Sequence, residues 1–228
     1  MSIYGTVLSE HVQEVLKKHT DSRDLLNETK RLVYEMLDPT PDRGDMLYRY
    51  EHSIRVAENA RLIAQEEEIP EEPLVLACLL HDIGYRESET LGGFGIHTFV
   101  GADIARSYLE SIDYNREYRE EMITAIARHN LTEEIPEDMT VFQMSVRDCD
   151  DIDRYDIIRT SMVLGDCVHE KTNVEIIESC DRAIEKTMWL MSLKRGTKTA
   201  KDMIEKVCMK RIGLLQEIQA QARKGFEK

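Results

Sequence analysis

Apolar residues recur at spacings of three and four along most of the chain, and this spacing places them on one face of an α-helix. Three of the five prolines, Pro39, Pro41 and Pro70, fall at breaks in the pattern. No segment shows the apolar–polar alternation of a half-buried strand. The pattern therefore predicts an all-α fold with helices over these segments: 8–19, 21–37, 45–67, 71–84, 98–112, 115–129, 140–149, 153–169, 173–194 and 199–223.

The predicted helix 71–84 differs from the others because its residues Leu74 to Leu80, "LVLACLL", are apolar on every side. A helix of this kind is buried in the middle of a fold. It runs directly into His81 and Asp82, and burying these groups without partners would cost several kcal/mol. The pair is therefore either satisfied by hydrogen bonds or part of a binding site.

Composition narrows the class of protein. Hydrophobic residues make up 42%, charged residues 32% and aromatic residues 6% of the 228 positions, a balance typical of a soluble helical protein. No apolar run approaches the roughly 20 residues of a membrane-spanning helix. The first residues lack the basic flank and apolar centre of a secretory signal, and the five cysteines include no CxxC pair. We expect a cytoplasmic protein with reduced thiols and no membrane partner.

Charge is distributed unevenly along the chain. The formal net charge of −14 argues against a nucleic-acid polymer as partner, since phosphate contacts need a basic surface. Residues 191–228 nevertheless hold ten Lys or Arg and four Asp or Glu, a balance of +6 that leaves −20 for residues 1–190. A basic helical tail of this kind usually docks or is solvated, and a role in holding an anionic ligand or a second subunit is the alternative.

Three further histidines lie where they could bind a ligand. His52 shares a helix face with Arg55 and Asn59, so it either holds a metal beside an anion-binding arginine or belongs to an exposed polar stripe. His129 follows an apolar stripe and, taken alone, fits a satisfied core residue. His97 is the last residue of the glycine-rich "LGGFGIH", which predicts a loop, and it precedes a helix whose dipole favours neutral imidazole.

Aspartates are dense in "VRDCDDIDRYD", and groups packed so closely repel one another. A bound cation is the simplest compensation. Solvent exposure, or pairing with Arg147 and Arg154, is the alternative. The segment lacks the glycine and closing glutamate of an EF-hand loop. The aspartates are Asp148, Asp150, Asp151, Asp153 and Asp156.

The order of these pieces resembles the H…HD…D signature of the HD-domain metal-dependent phosphohydrolases. The segment "HSIRVAENA" is similar to the first motif of that family, "LACLLHDIG" to the second and "DCDDID" to the last. The resemblance covers residues 45–165. It implies a helical bundle in which four side chains meet at one divalent metal: His52, His81, Asp82 and Asp150, with Asp148 as the alternative last ligand.

The segments around His97 and His129, "GIHTFVGADIA" and "AIARHN", resemble the additional histidine motifs of the two-metal branches of the family. The resemblance then implies a second metal on these two histidines, with Asp82 as the bridge. The match to the branch that opens cyclic dinucleotides is incomplete, because Arg128 stands where that branch has a histidine and its GYP motif is absent. Whether one or two metals bind stays open here.

Imidazole and carboxylate ligands suit Fe, Mn, Zn, Co or Ni better than Ca. A metal held by them would lower the pKa of bound water and polarise a phosphoryl oxygen, so we assign Asp82 a catalytic role. Arginine would stabilise the charge on the phosphoryl group. Arg55 is the first choice for this role, and Arg86 and Arg128 are weaker choices whose alternative is a surface ion pair.

The resemblance thus implies an enzyme, a phosphohydrolase acting on a small nucleotide or other phosphorylated metabolite. A non-catalytic module that binds metal and nucleotide is one alternative, and a diiron oxygenase is another. We expect N-terminal helices over residues 1–44, a metal-binding core over 45–169 and a C-terminal helical extension over 170–228, together forming a single domain. The extension matches no motif, and it could cap the site, form a homodimer surface or complete the core.

Overall fold

Helices account for the regular structure of the protein. The computed structural model describes residues 5–20, 23–40, 44–131 and 135–224, and these ranges contain no strand. The predicted all-α class is confirmed. The α-helices are α1 (Glu10–Lys18), α2 (Leu25–Leu37), α3 (Gly44–Glu67), α4 (Glu71–Leu80), α5 (Tyr85–Leu91), α6 (His97–Ser111), α7 (Arg116–Arg128), α8 (Val141–Tyr155), α9 (Ile157–Val168), α10 (Asn173–Ser192) and α11 (Lys198–Arg223).

The chain forms two compact units, residues 1–150 and residues 151–228. This division falls within α8, whereas the sequence led us to expect boundaries after residues 44 and 169. Among the described residues no helix is both long enough and apolar enough to cross a membrane. All five cysteines are buried free thiols.

Helix α4 is the centre of the first unit. Every residue from Pro73 to Leu80 is buried, and α4 packs against α2, α3 and α7. An all-round apolar surface removes side chains from water on every side and favours this central position. The residues that follow α4 are therefore delivered to the interior of the unit.

The predicted helix 71–84 ends four residues early, at Leu80. Ile83 N–H donates to the Leu80 carbonyl and Tyr85 N–H to the Asp82 carbonyl, which are the tighter bonds to the third preceding residue. This turn separates α4 from α5, a helix that the sequence did not predict. The glycine-rich stretch "LGGFGIH", which was predicted to be a loop, follows α5 and contains a short 3-10 helix, Phe94–Ile96.

Helix α8 continues past the expected break at residues 150–152 and ends at Tyr155. Arg195 Nη1 lies 2.7 Å from Asp151 Oδ2, and both side chains are buried. The arginine partner offsets the repulsion between Asp151 and the neighbouring aspartates inside the helix. The break comes instead at Asp156, which is extended and accepts a hydrogen bond from the Ile157 N–H at the start of α9.

The second unit consists of the end of α8 and helices α9 to α11. Helix α10 begins with a capping box between Thr172 and Glu175. Gln219, near the end of α11, donates to the Ile177 carbonyl near the start of α10, so these two helices run antiparallel. The core between α9, α10 and α11 is formed by Cys167, Cys180 and Leu215 with surrounding aliphatic side chains.

Gly84 allows the turn after α4 to contact α6 directly. A Cβ at this position would lie 2.4 Å from both the Gly101 nitrogen and the His97 carbonyl oxygen. Neither backbone atom can move without displacing α6, so only glycine fits here. The contact fixes the start of α6, including His97, against the turn that carries His81 and Asp82.

We predict that Gly84→Ala lowers the free energy of unfolding by about 3 kcal/mol or more, because it forces two backbones apart in a packed core. The change is measured by urea unfolding followed by circular dichroism. Gly213→Ala is the control, since nothing lies within 4 Å of its added Cβ and alanine is favoured over glycine inside a helix. Equal stability of wild type and Gly84→Ala would contradict the close approach.

Candidate metal centre

The carboxylate of Asp82 lies at the centre of a buried histidine cluster. Its Oδ2 is 3.5 Å from His81 Nε2 and 3.8 Å from His52 Nε2. Its Oδ1 is 3.5 Å from both His97 Nε2 and His129 Nε2. One carboxylate thus faces two pairs of imidazoles, one pair with each oxygen.

Asp150 completes the half of the cluster that Oδ2 faces. Its Oδ1 lies 3.0 Å from His52 Nε2 and 3.9 Å from His81 Nε2. Residues two apart on a helix point in widely different directions, and Asp148 instead pairs with Arg147, 2.9 Å away. This placement favours Asp150 over Asp148 as the last ligand.

Different helices deliver these side chains to one point. His52 lies on the inner face of α3, and His81 with Asp82 follows the end of α4. His97 begins α6, and His129 follows the end of α7. All of these residues are at least 97% buried, so their polar atoms face one another instead of bulk water.

Three of the histidines have the same tautomer, fixed by the backbone. In each, Nδ1 lies 2.6–2.7 Å from the carbonyl oxygen of the third preceding residue. His81 and His129 directly follow α4 and α7, whose last carbonyls lack partners within the helix, whereas Phe94, the partner of His97, begins the short 3-10 helix before α6. Because a carbonyl only accepts, Nδ1 carries a proton, and the Nε2 of a neutral ring offers its lone pair to the cluster. The donor and acceptor pairs are His81 with Cys78, His97 with Phe94, and His129 with Ile126.

The charge state of the cluster suits a cation. Burial lowers the pKa of His81 to about 4, so this imidazole is neutral near pH 7. Burial raises the pKa of Asp82, but the surrounding histidines and the Arg49 guanidinium outweigh burial and hold that pKa well below its usual range. Asp82 is therefore an anion among imidazoles that can donate lone pairs.

Burial and the same carboxylate act in opposite directions on the other two imidazoles. Burial lowers the pKa of His97, and the charge of Asp82 only partly opposes this change. Burial lowers the pKa of His129 as well, but its hydrogen bond to Asp82 outweighs burial and the net pKa is raised. The two histidines that share Oδ1 thus differ in how readily they release a proton to make room for a metal.

These residues fit divalent transition metals. Imidazole nitrogen with carboxylate oxygen is a common donor set for such ions. Two groups of three have ligand atoms that all lie within 4.8 Å of one another: His52, His81 and Asp150, and His81, Asp82 and His129. His81 belongs to both groups and His97 to neither, so His97 enters the cluster through its contact with Asp82 Oδ1.

Arg49 is a site residue that the sequence analysis missed. Its Nη1 lies 3.1 Å from Asp82 Oδ2, and its guanidinium is 3.8 Å from the centre of the Tyr85 ring. Tyr85 in turn packs against His97, with ring centres 4.1 Å apart. The available signal was the spacing of Arg49 three residues before His52, which places both on one face of α3.

Two other side chains border the histidines. The Asn130 amide nitrogen lies 3.3 Å from His97 Nε2, which accepts the hydrogen bond through the lone pair left by its tautomer. The Tyr48 ring stacks nearly parallel to His52 at 5.8 Å. Neither carried a sequence signal, because each contact depends on the fold.

The arginines proposed from the sequence lie in different places. Arg55 is 5.8 Å from the centre of the Tyr48 ring, on the turn of α3 after His52. Arg86 pairs with Asp38 at 3.1 Å and donates to a ring nitrogen of His11 at 2.6 Å. Arg128 forms an exposed pair with Asp138. The pairs of Arg86 with Asp38 and of Arg128 with Asp138 are the ion pairs that the sequence offered as the alternative. A catalytic role for Arg55 or Arg86 stays a prediction.

Comparisons with known proteins bear on the family resemblance and the fold. Residues 49–157 match the model of the HD domain. The fold is similar to the crystal structure of a predicted HD superfamily hydrolase from an uncultured Thermotogales bacterium, with a TM-score of 0.57 and 22% sequence identity over 92% of this chain and 98% of that one. Among curated proteins, none matches the chain. The resemblance inferred from the motifs is confirmed.

We predict that the protein binds about two divalent metal ions per chain, one on each side of Asp82. His97→Ala and His129→Ala should each reduce the content to about one, because they remove ligands from the Oδ1 side alone. Replacing His81 and Asp82 together with alanine should abolish binding. Metal analysis of purified, dialysed protein measures all three.

His169→Ala is the control, since this histidine follows α9 in the second unit and has no place in the cluster. A content of one in wild type, unchanged by the His97 and His129 substitutions, would show that these two histidines are structural. Full occupancy after the double substitution would contradict the site itself.

Proposed function

Because residues 49–157 of this chain match the model of the HD domain, we propose that the protein is a metal-dependent phosphohydrolase. Its substrate is a small nucleotide or another phosphorylated metabolite, and it cleaves a phosphoester or phosphoanhydride bond. The observation that carries the proposal is the Asp82 carboxylate between two pairs of imidazoles.

The four histidines, Asp82 and Asp150 would hold the metal. A divalent metal supplies Lewis-acid chemistry: it lowers the pKa of water and polarises a phosphoryl oxygen. The backbone carbonyls accept from Nδ1 in three of the histidines, so their Nε2 atoms already face the cluster before a metal binds. The apolar helix α4 holds His81 and Asp82 on a rigid support.

Arg49 is the best-placed residue to bind the phosphoryl group. Its guanidinium is anchored on Tyr85 and hydrogen-bonded to Asp82, yet a quarter of its side chain is exposed. It therefore faces the cluster and solvent together. A planar guanidinium can donate two parallel hydrogen bonds to phosphoryl oxygens and stabilise the charge that builds up there.

The proposal is tested by screening metal-loaded protein for phosphate release. The substrates are nucleoside mono-, di- and triphosphates, dinucleoside polyphosphates and cyclic dinucleotides, with nucleoside products followed by chromatography for bonds that release no free phosphate. We expect hydrolysis of at least one substrate, lost on chelation and in Asp82→Ala. Oxygen uptake without hydrolysis would favour the oxygenase alternative, and inactivity with intact metal content would favour a binding module.

We predict that Arg49→Ala lowers kcat/KM by about 100-fold or more, the usual loss when one donor to a developing oxyanion is removed, while metal content stays unchanged. Arg55→Ala and Arg86→Ala, measured in parallel, test the two arginines chosen from the sequence. Arg61→Ala is the matched control, since this arginine pairs with Glu58 and Glu71 on the surface of the unit. A wild-type rate in Arg49→Ala would contradict the proposed role.

A further inference from the structure

The second unit contains a small cleft with a strongly basic lining. Its volume is about 120 Å³, below the range of about 300–1,000 Å³ that takes a drug-sized ligand. Four of its six lining side chains are cationic and none is a carboxylate: Arg154, Tyr155, Arg159, Val163, Lys186 and Arg211. All six belong to residues 151–228.

Arg211 is the unusual member of this group. Arg211 is only 6% exposed to solvent, and its Nε has no hydrogen-bond partner. No carboxylate of the described residues forms an ion pair with it. Its guanidinium lies over the Tyr155 ring, 4.9 Å from the ring centre. Arg211 is thus a buried cation that contacts an aromatic face.

An aromatic ring offsets only part of the cost of burying a guanidinium, so a counter-ion is still required. Burial lowers the pKa of Arg211, as expected for a cation that lacks one. Two nearby carboxylates of the same unit are directed to other cations. Asp151 pairs with Arg195 at 2.7 Å, and Asp156 lies 3.9 Å from Lys210.

We propose that this cleft binds a phosphoryl-sized oxyanion, with Arg211 as the buried donor and Lys186 at the exposed edge. The small volume admits a phosphoryl group and leaves any larger attached group in solvent. Planar guanidinium groups recognise phosphoryl oxygens through charge-assisted hydrogen bonds. The basic C-terminal segment noted in the sequence thereby contributes to a ligand site outside the metal centre.

The proposal is tested by titrating the full chain with inorganic phosphate in a calorimeter. Asp82→Ala protein is titrated in parallel, so that phosphate bound at the metal centre is counted separately. We expect about one site per chain that persists in Asp82→Ala, weakens about tenfold or more in Lys186→Ala and disappears in Arg211→Met. Arg182→Ala is the matched control, because Arg182 is exposed on α10, lies outside the cleft and pairs with Glu178.

Arg211→Met should fold, since replacing an unpaired buried charge by an apolar chain of similar length is often neutral or stabilising. Its melting temperature should match or exceed that of wild type without phosphate and should not rise when phosphate is added. If this variant fails to fold, the Lys186→Ala titration decides alone, because Lys186 is exposed. If a nucleoside monophosphate competes with phosphate for the cleft, the ligand is a phosphoryl group attached to a larger molecule. If it does not compete, the ligand is a free phosphate ion.

Two results would overturn the proposal. One is that 10 mM phosphate, roughly the upper limit of weak specific binding, gives no binding outside the metal centre. The other is that phosphate binds equally well to wild type, Lys186→Ala and Arg211→Met. Binding that is equal in all three would come from the general basic charge of residues 191–228.

Discussion

The first unit is organised around one buried carboxylate. Asp82 follows a helix that is apolar on every side, so the chain carries a negative charge into its own interior. Such a charge is stable only with partners. Each of its oxygens lies 3.5 Å or slightly more from two imidazole nitrogens, and Arg49 approaches one of them. The surrounding helices pack so that these imidazoles and Arg49 lie next to Asp82.

Helix ends supply much of the precision of this cluster. A helix leaves its last carbonyls without internal partners, and His81 and His129 follow α4 and α7 and donate to such carbonyls. His97 donates in the same way to Phe94, in the 3-10 helix before α6. One interaction therefore satisfies the backbone and sets the tautomer that a metal requires. Gly84 adds a second constraint, because its lack of a side chain brings the start of α6 against the turn after α4. The position of His97 depends on this contact.

The sequence was sufficient for the helical class, for the family and for the histidines that the structure brings together. It was insufficient where the answer depended on contacts between distant segments. Periodicity places arginines three residues before and three after His52 and cannot choose between them, and the structure sets Arg49 against Asp82. The apolar pattern predicted a break between residues 149 and 153, but α8 runs through it, and a residue from a distant segment, Arg195, pairs with Asp151 there. The buried Arg211 likewise has no local signature, since its burial arises from the packing of α9 to α11.

The bridging role of Asp82 is tested most directly by anomalous diffraction from crystals of the metal-loaded protein, collected on both sides of the metal absorption edge. We expect two peaks, with Oδ2 of Asp82 bound to the ion held by His52, His81 and Asp150, and Oδ1 to the ion near His97 and His129, each at about 2.0–2.2 Å. A single peak that uses one oxygen of Asp82, with His97 and His129 unligated at full metal occupancy, would contradict a bridging carboxylate.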